Sequence, residues 1–136
     1  GYGRTGQMIG HFLDREGSAY LALDTDAAMV GEARLAGQPV YYADATTPSV
    51  LEAAGLASAR LLIISHDDRS ALLRTLACVR QQRPDLPILV RARDESWGDV
   101  AGHRGSHLSG HEFPIIGEGY GAKEIRNIRI LKIAAS

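Results

Sequence analysis

Four short apolar runs punctuate residues 1–94: Tyr20–Leu23, Val40–Tyr42, Leu61–Ile64 and Ile88–Val90. Leu61–Ile64 is apolar at every position, the pattern of a strand buried on both faces. A segment with helical character precedes each run. In residues 5–16, Met8, Ile9, Phe12 and Leu13 form one stripe of a 3.6-residue period, and Gly17 supplies the stop. A second helix is expected over Ala27–Leu35, with Asp26 as N-cap and Gly37 beyond its end. Thr47 followed by Pro48 reads as an N-cap with proline at the first helical position, opening a short helix that ends near Gly55. Asp67 or Asp68 caps a longer helix through about Gln82, striped by Leu72, Leu73, Leu76 and Val79 and ended by Pro84. Strict alternation of helix and strand with short connections dictates a parallel sheet with helices on its faces.

Composition narrows the setting. A length of 136 residues fits one domain. Hydrophobic residues at 45% and charged residues at 23% are ordinary for a packed globule. The formal net charge of -1 offers no electrostatic footprint for nucleic acid, so no nucleic-acid partner is expected. A single cysteine, Cys78, excludes an internal disulfide and reads as a buried structural thiol in a reducing compartment. No stretch approaches a membrane span. The chain opens on Gly1 without an initiator Met, as a piece of a longer protein would. Composition also divides the chain near Asp94. Seven of the 15 glycines fall between Gly98 and Gly121, and six isoleucines fall at or after Ile115. Residues 1–94 are read as the folded α/β portion. Residues 95–136 are read as a Gly/His-rich loop and an Ile-rich tail, unassigned.

Gly1-Tyr2-Gly3-Arg4-Thr5-Gly6 is G-x-G-x-x-G opening a helix. The first glycine permits a tight turn, the second lets the backbone approach a pyrophosphate, and the third lets helix and strand pack closely. The helix N-terminus then presents free N–H groups and a positive dipole end to phosphates. Asp24 follows at the end of the next strand, where a carboxylate accepts hydrogen bonds from a ribose 2′-OH and repels a 2′-phosphate. NAD(H) or AMP is therefore expected over NADP. The fold expected is a Rossmann-like doubly wound sheet. That fingerprint needs a strand immediately before Gly1, and the chain has none there. In the usual order that strand is central, between the Tyr20–Leu23 and Leu61–Ile64 strands. Either upstream residues carry it, or another segment fills the slot, or the two flanking strands close up.

These motifs, with Leu23-Asp24-Thr25-Asp26, Tyr42-Ala43-Asp44-Ala45-Thr46, Ala53-Ala54-Gly55-Leu56 and Arg91-Ala92-Arg93-Asp94, resemble the TrkA-N (RCK, or KTN) domain over residues 1–94. The version on Kef-type monovalent cation:proton antiporters is the most similar. The resemblance implies a regulatory nucleotide-binding module, not an enzyme. Such a module hangs on the cytoplasmic side of the bacterial inner membrane beneath an upstream transport domain, pairs as a homodimer or larger assembly, and controls potassium efflux. It further implies that Gly1, Tyr2, Gly3, Arg4, Thr5 and Gly6 hold the phosphates, Asp24 and Thr25 the adenine ribose, and Asp44 and Ala45 the adenine. Ser65 would line the ribose–phosphate side. His11 stands where glutathione-gated members carry an arginine on the first helix, which argues against glutathione gating here. Glu95–Gly121 does not follow the family's pattern.

Other features point elsewhere. His103, His107 and His111 have the spacing of a helical metal face, but Gly102, Gly105 and Gly110 interleave them, so a solvated loop is expected. Ile115-Ile116-Gly117-Glu118-Gly119-Tyr120-Gly121-Ala122 spells a second dinucleotide turn without an acidic partner downstream, and reads as a flexible loop. The alternatives to a sensor are the cofactor half of an NAD-dependent oxidoreductase and a truncated remnant that binds nothing. The oxidoreductase reading lacks a Tyr-x-x-x-Lys pair, since Glu124 stands four residues after Tyr120.

Overall fold

The computed structural model describes residues 2–66, 68–90, 115–116 and 130–133, the last two segments as backbone only. Helices α1 (Arg4–Arg15), α2 (Ala27–Leu35), α3 (Pro48–Ala53) and α4 (Arg69–Gln82) alternate with strands β1 (Tyr20–Asp24), β2 (Val40–Tyr42), β3 (Leu61–Ile64) and β4 (Ile88–Val90). Two further strands, β5 (Ile115–Ile116) and β6 (Ile130–Ile133), follow. Helix ends fall where local chemistry puts them. Asp26 Oδ1 accepts the Met29 N–H at 3.1 Å, and Asp68 Oδ1 accepts the Ala71 N–H at 3.1 Å. Asp67, the other capping candidate, lies outside the described residues. Gly17 and Gly37 leave their helices at φ of 70° and 78°, a conformation that a side chain disfavours. Thr47 caps α3 by backbone position alone, without a side-chain bond.

The sheet order is β2-β1-β6-β3-β4-β5. β1, β2, β3, β4 and β6 run parallel, and β5 pairs antiparallel with β4 at one edge. An antiparallel edge strand cannot feed a dinucleotide turn of the kind Ile115–Ala122 spells, and Gly117–Ala122 lie outside the described residues. β6 occupies the slot between β1 and β3. Leu21 and Leu62 both register with Leu131, and Leu23 and Ile64 both register with Ile133. Of the three arrangements left open by the sequence, another segment fills the slot. Two segments beyond Asp94 thus join the same sheet.

Helices cover both faces. One face packs Leu23, Leu62, Ile64, Ile88 and Val90 against Leu51 of α3 and Leu72 and Val79 of α4. The other packs Tyr20, Ala22, Val40, Leu61 and Ile63 against Leu13 of α1 and Val30 and Ala33 of α2. Half of the apolar stripe expected on α1 holds: Leu13 is buried and Ile9 packs partly buried against the sheet. Met8 and Phe12 are exposed at 52% and 47%, and Gly6 and Gly10 join Leu13 on the fully buried face. Gly6, Gly10 and Leu13 recur at i, i+4 and i+7, so two glycines share the face that meets the sheet with Leu13. α4 departs similarly: Leu73 is exposed and Thr75 is buried in its place. Arg83 pins the turn after α3 by donating to the carbonyls of Leu56, Ala57 and Ala59 at 2.9–3.0 Å. Cys78 is half-buried, and its Sγ lies 3.4 Å from the Thr46 carbonyl oxygen. The His103, His107 and His111 spacing falls outside the described residues.

Candidate functional site

Parallel strands end at one edge of the sheet, and the residues singled out in the sequence follow those ends. Asp24 closes β1 and Thr25 follows it; Asp44 and Ala45 follow β2; Ser65 follows β3. The chain turns outward in opposite directions from β1 and β3, so the strand order reverses over β6. Ligands of open α/β sheets bind in the crevice at such a switch point, outside the carboxyl ends of the strands. The glycine loop lies there as well. Gly3 is the N-cap of α1 in extended conformation, and its carbonyl accepts the Gln7 N–H at 2.8 Å. Among the described residues a Cβ built on Gly3 would meet nothing within 4 Å, so they leave the approach to the first turn open. Arg4 is exposed, Thr5 half-buried and Gly6 buried against the sheet. Gly1 lies outside the described residues.

Asp24 is fully buried, and both of its carboxylate oxygens accept from backbone. Oδ2 takes the Tyr2 N–H, and Oδ1 takes the Asp26 N–H at 2.8 Å. A carboxylate offers about four acceptor positions, so two remain for a ligand. With no exposed surface, however, they are reached only when the groups covering Asp24 move. In this form Asp24 ties the glycine loop to the end of β1. Tyr2 is itself fully buried, with its hydroxyl 3.4 Å from that of Tyr20. Burial pushes the Tyr2 phenol above its ordinary value, a rise the bond to Tyr20 partly offsets. Burial also raises Tyr20, and its bond to Tyr2 raises it further. Both hydroxyls stand over Gly10, where an added Cβ would lie 2.7 Å from Tyr2 Oη and 2.8 Å from Tyr20 Oη. Gly10 therefore makes room for the pair. Apolar periodicity carries no trace of this, because glycine contributes nothing to an apolar stripe.

The remaining residues divide. Asp44 is exposed, and its Oδ1 accepts the Thr46 N–H at 2.9 Å and the Thr46 hydroxyl at 2.7 Å. These bonds hold its carboxyl below the usual range and shape the turn after β2. Ala45 is fully buried in the α3/α4-side core, so its side chain offers no surface to a ligand. Ser65 is buried at the crevice. Beside it stands His66, which the sequence reading passed over. It is buried, and its Nδ1 accepts the Asp68 N–H at 3.1 Å. With Nδ1 accepting, a neutral ring carries its proton on Nε2. The available signal was its place two residues past a strand end. Among the described residues no group of three His, Cys, Asp or Glu side chains is placed to hold a metal, and no helix is long and apolar enough to cross a membrane.

Known proteins share this architecture. The TrkA-N domain family matches residues 1–107. The chain is 57% identical over 96 residues to a putative K(+) efflux antiporter KefB of Alkalimonas amylolytica, covering 71% of this chain and 14% of that protein. It is 39% identical over 94 residues to the glutathione-regulated potassium-efflux system protein KefC of Escherichia coli O139:H28, covering 69% of this chain and 15% of that protein. It therefore spans only a small part of the length of these relatives. The TrkA-N domain of the inner membrane protein ybaL from Escherichia coli superposes with a TM-score of 0.65 at 26% identity, over 71% of each chain. The NAD(P)-binding domain of an exopolyphosphatase-related protein from Archaeoglobus fulgidus superposes with a TM-score of 0.67 at 21% identity, over 74% of each chain, a likeness of fold. A doubly wound sheet, a glycine loop at its switch point and a family match over most of the chain lead to one conclusion: the chain belongs to the TrkA-N domain family.

Proposed function

We propose that this domain is the regulatory adenine-nucleotide sensor of a Kef-type potassium or cation:proton antiporter, held at the cytoplasmic side of the inner membrane and acting as a homodimer. The observation that carries the reading is the convergence of the glycine loop, Asp24 and Ser65 at the switch point of the sheet. The relatives named as potassium efflux proteins support the setting. The first turn of α1 would receive the phosphates, and Asp24 the ribose hydroxyls once Tyr2 releases it. NAD(H) and AMP fit an anionic ribose partner, whereas a 2′-phosphate meets repulsion. Binding would bias one arrangement of the attached transport domain over another, without turnover. A tenfold difference in affinity between two states supplies about 1.4 kcal/mol, within the usual range of such coupling.

A thermal melt with NADH, AMP and NADPH in turn tests the reading. A ligand at 100 times its dissociation constant adds about 2.7 kcal/mol to the folded state. For a domain of this size the expected rise is on the order of 5–11 °C with NADH or AMP and little with NADPH. In Asp24→Asn the preference against NADPH should narrow. A melt unmoved by all three nucleotides would sink the proposal.

A further inference from the structure

Tyr20, Ala22 and Asp24 are alternate residues of β1, and alternate residues of a strand share a face. Tyr20 and Ala22 pack on the α1/α2 side, so Asp24 belongs to the same row. Tyr2 is bonded at both ends of that row. Its backbone N–H donates to Asp24 Oδ2, and its hydroxyl stands 3.4 Å from that of Tyr20. Between the two ends stands Ala22, fully buried, whose single methyl leaves room for a ring. On the helix side the room comes from Gly10, where an added Cβ would crowd both hydroxyls. Tyr2 and Tyr20 are both buried. The phenol pair is therefore seated between two small residues, one on the strand and one on α1.

Tyr2 thus couples two places. Asp24 is the carboxylate of the crevice, whereas Tyr20 opens β1 four residues earlier, at the opposite end of the strand. At about 3.3 Å per residue the separation along the strand is roughly 13 Å. A tyrosine side chain has two torsions and a rigid ring, so an enclosed ring restrains its own backbone. When the Tyr2 N–H leaves Asp24, the phenol is drawn from its seat between Gly10 and Tyr20. The bond between the two hydroxyls opposes that movement.

We propose that Tyr20 is a positioning residue of the nucleotide site: its hydroxyl holds Tyr2 on Asp24 and so sets how readily that carboxylate is released to ribose hydroxyls. The inference rests on the nucleotide reading above and adds to it a control point at the far end of β1.

The test measures the dissociation constants of AMP and of 2′,3′-dideoxy-AMP by titration calorimetry on the full chain and on Tyr20→Phe. Removing the Tyr20 hydroxyl loosens the hold on Tyr2. AMP should therefore bind roughly two- to tenfold more tightly, the worth of one neutral hydrogen bond. The dideoxy nucleotide has no ribose hydroxyls to offer Asp24, and its affinity should not change. Tyr2→Phe removes the same bond from the other side and should act alike, and the double variant should gain no more than either single one. Tyr2→Phe also carries the test if Tyr20→Phe does not fold. AMP affinity that is unchanged or weakened by both single variants would overturn the inference. So would an equal shift for both nucleotides, the mark of a merely structural role. If the full chain does not bind AMP, the inference falls, and the melts with NADH and NADPH judge the nucleotide reading separately.

Discussion

The two faces of the sheet are built on different terms. The α3/α4 side is an aliphatic layer of Leu51, Leu62, Ile64, Leu72, Val79, Ile88 and Val90, with Thr75 of α4 buried beside it. The α1/α2 side packs Leu13, Val30 and Ala33 on the sheet but seats α1 through Gly6 and Gly10 as well, with two tyrosine hydroxyls over the second of them. One side secures the sheet by area removed from water. The other brings a helix N-terminus close to the carboxyl ends of the strands and packs polar atoms to do so. The difference explains why large side chains on α1, Met8 and Phe12, are left exposed: a helix seated through glycines turns its bulky residues outward.

The contrast predicts unequal sensitivity. Leu72→Ala, on the aliphatic side, should cost about 2–5 kcal/mol in urea denaturation, whereas Phe12→Ala, exposed on α1, should stay within about 0.5 kcal/mol. Equal losses would break the comparison. Gly10→Ala should cost about 1–3 kcal/mol, because its Cβ displaces two tyrosine hydroxyls. Combining it with Tyr2→Phe and Tyr20→Phe should recover part of that loss, and additive losses would show that the clash lies elsewhere.

The smallest effect expected is on pH. Both phenols titrate higher in the folded state than in the unfolded one. Folding therefore favours their protonated forms. Their contribution is fully present below the unfolded value of about 10 and is lost as pH rises above it. The thermal midpoint should fall more steeply above that pH in the parent than in Tyr2→Phe/Tyr20→Phe, and matching alkaline limbs would remove the pair from the account.

Much of this was legible along the chain. The ranges of α2, β2, β3 and β4 coincide with their local signals, because caps, glycine stops and apolar runs of three or four residues act within a few residues. The candidate site was legible as a set of strand ends, since a parallel sheet brings all of them to one edge. What Asp24 does in this form was not legible. Its spacing from Gly6 is the one expected of a ribose partner, yet both of its oxygens are bonded to the chain itself. Ala45 likewise follows a strand end but turns into the core.

The sequence by itself determined the alternation, the two-sided apolar strands and the glycine loop, all consequences of backbone preference and short-range spacing. Only the tertiary structure decided which segment completes the sheet and which face of α1 is buried. Strand order depends on pairing between residues far apart in sequence, as when Ile130 meets Tyr20 and Leu61. The buried face of a helix depends on the shape of what it meets. Neither quantity is written in the neighbours of a residue, so both wait on the folded chain.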